Sequence, residues 1–336
     1  MYEGLRKPEE LITMVVTLLA YGCPPQAIVW AFGLDERTVA GWQMRAGKHC
    51  EKIHQDQVMQ GQIDLQHIQA DEIRVKGYKL IAWMGLVMMV GSRLFLGGVV
   101  NETRDHHLAD QLLRMAKACC CPLSTLLVLT DGWRAYPNSI RRVFREKAAR
   151  TGHKGRRQLL AWPDILIGTV IKRTEKKQVV EVIRRMTQGA VERAAKLLEL
   201  SRGGNDLNTA FIERLNGTFR ERLACLTRRC RHAVHHLDRL TAGMWLIGGT
   251  YNFCFPHQEL SKSKHKGYQC TPAMAAGITD HLWSILELLS YRIPPPPYVA
   301  PKRLGRPRKR ADKQVQSARL RPLVRLRKGG LYASTR

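Results

Sequence analysis

The chain is poor in negative charge. Its 336 residues contain 28 Asp and Glu against 55 Lys and Arg, a formal net charge of +27. Such a chain is soluble through its positive charge and drawn to polyanions. Nucleic acid is the first such partner, and an anionic membrane surface is the competitor. Long apolar runs are also missing. The longest, around residues 80–90, is too short to cross a bilayer, so no membrane span is expected. The opening MYEGLRKPEE lacks the basic-then-apolar order of a secretion signal. The nine cysteines are odd in number and scattered, which excludes a secreted disulfide framework. No internal repeat stands out, so a solenoid is not expected. The expected location is the cytoplasm, in association with the nucleoid.

Hydrophobic residues make up 44% of the chain, enough for a sizeable core, and the length suits two or three domains. The first zone, 1–60, repeats apolar residues at helical spacing (Leu11, Val15, Leu18, Leu19) up to the breaker Tyr21-Gly22-Cys23-Pro24-Pro25. A short helix over 26–32, a turn at Gly33-Leu34-Asp35 and a further helix with Val39, Trp42 and Met44 follow. Asp35 or Thr38 is positioned to cap that last helix. This order fits an all-α helix-turn-helix domain that presents Arg37, Thr38, Gln43 and Arg45 to a DNA groove. An ordinary small helical bundle is the competing reading.

The second zone, 64–255, reads as alternating α/β. Strands are expected over 68–75, 80–90 and 93–100, with Gly77 and Gly91-Ser92 at the turns. A helix over 105–117 follows, then a buried strand, Thr125 to Thr130, that ends at Asp131. A helix over 138–150 and a strand over 165–172 come next. Helices over 178–200, 208–227 and 233–253 close the zone. A mixed sheet flanked by helices in this order is that of a ribonuclease-H-like domain, an analogy of fold that carries no chemistry by itself. Residues 256–291 read as a helical extension.

The third zone, 292–336, contains 14 Lys and Arg and one acidic residue, Asp312. Pro294-Pro295-Pro296-Pro297 opens it as a stiff spacer. The expectation is a disordered basic tail. Within it, Leu304-Gly305-Arg306-Pro307-Arg308-Lys309 resembles an AT-hook, whose Arg306 and Arg308 would lie in the narrow minor groove of A·T-rich DNA. A plain polycationic tail is the alternative.

Three carboxylates are placed for metal chemistry. Asp71 lies in the first strand, in HIQADEIRV. Asp131 ends a buried strand in LLVLTDGWRAY, with Gly132 free to turn the backbone sharply. Glu213 lies on the helix NTAFIERLNGTFRERL, with Asn216 on the same face and Arg220 beyond it. Strand ends hold exposed side chains on a rigid scaffold. Phosphodiester cleavage needs an activated oxygen and neutralised charge on phosphorus oxygens, which two divalent ions on carboxylates supply. Glu72 is the alternative to Asp71, but strand alternation points it to the opposite face. Glu221 and Asp206 compete with Glu213; Asp206 falls in the loop before the helix, where it favours the positive N-terminal end. Ordinary surface roles compete throughout: Asp71 paired with Arg74 or Lys76, Asp131 simply starting a turn, Glu213 solvated near Arg214 or Arg220.

These blocks resemble DDE-type insertion-sequence transposases, especially the insertion-sequence-one family. The resemblance covers about 64–255. It rests on an Asp-Glu pair on the first strand (Asp71-Glu72), on Thr130-Asp131-Gly132-Trp133-Arg134-Ala135-Tyr136, and on Glu213 with Asn216 and Arg220. It implies a metal set of Asp71, Asp131 and Glu213 holding two Mg²⁺ ions, with Mn²⁺ as a substitute. It implies cleavage at transposon ends that leaves a 3′-hydroxyl, then strand transfer into target DNA without a covalent protein–DNA intermediate. The partners implied are double-stranded terminal repeats and target DNA, and a second copy of the chain in at least a dimer. Arg134, Asn216 and Arg220 would contact DNA. A ribonuclease-H-like nuclease and an inactive, transposase-derived DNA-binding protein are the alternatives. Cys225, Cys230, His232, His235 and His236 form a cluster worth testing for zinc, although C-x4-C-x-H-x2-H-H is not a standard finger spacing.

Overall fold

The computed structural model describes residues 1–149, 156–176, 178–227, 234–262 and 267–295. Met1–Ile293 form one compact unit. The second unit, Pro294–Arg336, falls almost wholly outside the described residues, and with it the expected tail, Arg306 and Arg308. Among the described residues no helix is long and apolar enough to cross a membrane.

A small helical subdomain opens the chain. α1 (Glu9–Ala20) buries Ile12, Val15, Val16 and Leu19 along one stripe. Proline at the first position of α2 (Pro25–Phe32) sacrifices no helical hydrogen bond, and Gly33 closes that helix in the left-handed region with φ 59°. Asp35 caps α3 (Glu36–Gln57) by accepting from the Arg37 amide at 2.8 Å. α3 then continues for 22 residues and crosses the later helix α8 (Leu237–Phe253) at Gly47. A Cβ at Gly47 would lie 2.1 Å from the Ala242 carbonyl oxygen, so the two backbones touch. The three helices therefore share one continuous hydrophobic core with the sheet, through Trp42, Cys50, Ile53, Phe95 and Trp245.

The sheet has six strands, in the spatial order Phe95–Asn101, Ile81–Met89, His67–Lys76, Leu126–Asp131, Ile165–Glu175 and Gln178–Gln188. β1 (His67–Lys76), β2 (Ile81–Met89) and β3 (Phe95–Asn101) form an antiparallel meander. β4 (Leu126–Asp131) and β7 (Ile165–Glu175) run parallel to β1, and β8 (Gln178–Gln188) returns antiparallel on β7. Strands buried on both faces need helices on both. α4 (His106–Cys119), capped by Asp105, sends Leu108 and Leu112 onto one face beside Gly85, with α5 (Ala135–Val143) next to it. α7 (Ala210–Arg222) and α8 cover the other, where Phe95 meets Phe219 and Trp245. α6 (Val191–Leu200) closes a smaller cluster over Leu127, Leu129 and Leu166. Three short helices, α9 (Gln258–Lys262), α10 (Pro272–Ala275) and α11 (Ile285–Ser290), follow α8.

Three expected helices are corrected. The reading of 178–200 as one helix fails because its first half is β8, paired with β7 from Glu175↔Gln178 to Ile167↔Gln188. Val179, Val180, Val182 and Ile183 are β-branched, which favours a strand once a partner is available. Gly189, at φ 90°, then turns the chain into α6. The helix expected over 138–150 is α5 and stops at Val143. Residues beyond it become β5 (Arg145–Lys147), paired with β6 (Leu159–Ala161), and Phe144 packs edge-on against Trp162 at 5.2 Å. The helix expected over 208–227 is α7, which ends at Arg222 and leaves Cys225 in a 3-10 turn, Ala224–Leu226, rather than mid-helix.

Candidate metal centre

Parallel pairing of β1 with β4 sets Ala70 beside Thr130. The next residue of each strand is an aspartate, so Asp71 and Asp131 stand side by side where β4 ends. One carboxylate oxygen each from Asp71, Glu72 and Asp131 lie within 4.8 Å of one another, the one group of three or more metal-ligating side chains among the described residues. This triad is able to chelate a divalent ion.

Each carboxylate is held by its surroundings. Asp71 accepts from the Glu72 amide at 2.8 Å and from Asn216 Nδ2 at 2.8 Å. Asp131 accepts from the Trp133 amide at 3.0 Å through Oδ1 and from Arg104 Nη2 at 3.0 Å through Oδ2. Glu72 Oε2 takes Arg104 Nε at 3.1 Å and Nη2 at 2.9 Å. The Arg104 guanidinium lies 4.5 Å from the Trp133 ring and 5.2 Å from that of Trp83, which fixes its plane. Glu72 Oε1 and the Tyr136 hydroxyl are both buried near one another without a hydrogen bond of ordinary geometry. The Tyr136 hydroxyl is the neighbouring donor that favours the charged form of Glu72, and a hard cation would suit the same oxygen.

Crowding of carboxylates shows in their proton affinities. Burial pushes Asp71 up to about 6, with the Asp131 and Glu213 charges adding to the rise and the Glu72 amide opposing it. Burial pushes Glu72 up to about 7, with the Tyr136 hydroxyl and Arg104 opposing and the Asp131 charge adding.

Glu213 reaches the same cleft from the first turn of α7. Lys172 of β7 and Thr209 both donate to its Oε1, the latter at 2.6 Å. Arg104, Asp131, Trp133, Lys172, Thr209 and Glu213 line this open cleft together. Glu213 is not a member of the tight triad. Glu72 is, against the expectation from alternation. Alternation does hold at the backbone: Glu72 lies opposite Gly85 on the α4 face, and Asp71 faces Asn216 of α7. The carboxylates nevertheless converge, because Asp71 bends back to the Glu72 amide and the longer Glu72 side chain is drawn to Arg104. No local sequence signal singles out Arg104, Lys172 or Thr209.

The residues expected on DNA are distributed as follows. Arg37, Arg134 and Arg220 are exposed, and Thr38 and Gln43 are half-buried. Arg45 is exposed and donates to the Glu3 carbonyl. Asn216 is 1% exposed, so its amide serves Asp71 rather than solvent. Gly132 adopts no left-handed conformation; its missing side chain makes room for Ile171, whose Cγ1 would lie 2.8 Å from a Cβ there. Of the cysteine–histidine cluster, Cys230 and His232 lie outside the described residues, and His235 stacks on Tyr78 at 5.1 Å. No protein-family model matches the chain, and no curated protein matches it.

Proposed function

We propose that this protein is a DDE-type transposase that cleaves DNA at transposon ends and transfers the strands into target DNA. The observation that carries the reading is the convergence of Asp71, Glu72 and Asp131 on adjacent parallel strands, with Glu213 of α7 lining one open cleft together with Asp131. The sheet order supports a ribonuclease-H-like assignment, since three antiparallel strands extended by parallel strands is the arrangement expected for that fold. The donor set fits magnesium: it is all oxygen, from three carboxylates that converge. Asp71 and Asp131 would hold one ion, with Glu72 and Glu213 available to complete its shell or hold a second. Ions there supply positive charge to the scissile phosphate and its leaving oxygen.

The chain's own residues do the positioning. Asn216 aims Asp71, the Trp133 amide and Arg104 aim Asp131, and Thr209 and Lys172 hold Glu213 at the rim. Arg134 and Arg220, both exposed, would meet phosphates and contribute position and salt-dependent affinity. Arg37, Thr38 and the α3 helix would add contacts to duplex DNA. Two copies would be needed to hold two transposon ends.

The test is nicking and joining of a labelled end by the full chain in Mg²⁺ or Mn²⁺, beside Asp131→Asn. The expected result is that wild type cuts and joins while the variant binds the same DNA and loses at least about a hundredfold in rate, the scale on which removal of one group that stabilises developing transition-state charge acts. Cutting without joining would make the protein a nuclease. Binding without cutting by either protein would reduce it to a DNA-binding relative.

A further inference from the structure

β7 outruns its neighbour. Only Ile165–Val170 pair with β4, and the remaining residues to Glu175 are paired on one side alone, with β8. At about 3.3 Å per residue, these five residues carry a two-stranded ribbon roughly 17 Å beyond the strand end that bears Asp131. β8 is the last strand of the sheet, so among the described residues its outer edge has no strand partner. An isolated ribbon is marginal in water; this one is held at its base by the sheet and by Arg184, which donates to the Leu207 carbonyl at 3.0 Å.

Its chemistry is one-sided. Residues 171–186 contain six Lys and Arg and only Glu175 and Glu181 as acids. Register places Arg185 and Arg173 on one face, either side of the Ile171–Ile183 pair, and Arg184 and Lys172 on the other. Lys172 answers Glu213, and Arg173 pairs with Glu181 at 2.9 Å. Lys176 and Arg185 are exposed and make no ion pair among the described residues. Val179 and Val180 are 55% and 56% exposed on the same ribbon. Lys176, Arg185 and the two valines thus rise from the rim of a carboxylate cleft exposed, the two cations with no acidic partner among the described residues.

We propose that the β7–β8 ribbon is a docking arm for duplex DNA, with Lys176 and Arg185 on phosphates that flank the one delivered to the cleft. A two-stranded ribbon fits the major groove of B-form DNA, about 12 Å wide, and cations that meet the backbone set register without reading sequence. This rests on the nucleic-acid reading of the cleft, but it concerns binding and needs no chemistry there. The competing occupant is a second copy of the chain, paired along the open edge of β8.

The experiment uses the full chain in EDTA, a short labelled duplex of arbitrary sequence, and fluorescence anisotropy over a salt series. Lys176→Gln with Arg185→Gln should weaken binding about tenfold near physiological salt and flatten the log–log salt dependence by about 1.8, the value for two lost phosphate contacts. Lys196→Gln, an exposed cation of α6 outside both the ribbon and the cleft, should bind within about twofold of wild type, so a tenfold loss in the ribbon variant is not a general effect of removing positive charge. A normally folded ribbon variant with wild-type affinity and salt dependence would overturn the proposal. Unchanged duplex affinity with lost self-association in sedimentation would overturn it in favour of the second copy. If the variant fails to fold, acetylation of wild-type Lys176 decides: protection by duplex supports the arm, and an unchanged rate overturns it. Ribbon-dependent binding in a chain that never cuts would sink the transposase reading and leave the arm standing.

Discussion

Asp71 is pulled in two directions. Its strand must be buried on both faces for the sheet to fold, and its carboxylate must be charged to hold a cation. Burial, with the Asp131 and Glu213 charges beside it, resolves the conflict toward the proton and lifts the group to about 6, against about 3.9 in an unfolded chain. The folded state therefore binds this proton more tightly than the unfolded state. Stability from the group is present at about pH 4, is lost as pH rises through about 6, and stays lost above. Glu72, lifted to about 7, extends the loss by a further unit. In EDTA at pH 8, Asp71→Asn should raise Tm by roughly 3 °C, and the difference from wild type should vanish near pH 4. Equal Tm values at pH 8 would show that Asp71 is not destabilised there. The same residue shows where reading by pattern stops. Asp71 and Asp131 are legible because each ends or interrupts an apolar strand. Glu72 was placed on the far face by alternation, and its Cβ is there, but Arg104 brings its carboxylate back to the cluster.

Elements were legible where one period dominated. β4 is apolar throughout and ends at its aspartate, and α4 begins at the cap Asp105 with a clean buried stripe. β8 was not legible, because Val179 to Ile183 suits a helix or a strand until β7 offers its hydrogen bonds. The close crossing of α3 and α8 was equally hidden, since a glycine at 47 in a helical stretch reads as a weakness. In the folded chain it is the contact point. Gly47→Ala should cost about 1–3 kcal/mol, because the added methyl meets backbone rather than a side chain that can move. Urea unfolding should show a lower midpoint with an unchanged slope. An unchanged midpoint would mean that the helices can part without loss.

On the scale of the whole molecule, charge and fold are separable. Met1–Ile293 is one compact unit, whereas nearly half the net charge follows it in sequence. Ending the chain at Ile293 should leave Tm within about 1 °C and weaken duplex binding more than about tenfold near physiological salt. A fall in Tm would show that the excluded segment braces the unit. Composition, strand and helix periods and the two aspartate blocks are properties of neighbouring residues, and the sequence by itself determined them: a basic chain, an α/β order and carboxylates at strand ends. The tertiary structure alone decided that Arg104 would bridge Glu72 and Asp131 across 32 and 27 residues, that Lys172 would hold Glu213 across 41, and that β8 would be a strand. Those outcomes depend on which distant groups the sheet brings within hydrogen-bonding reach, and no local period encodes that.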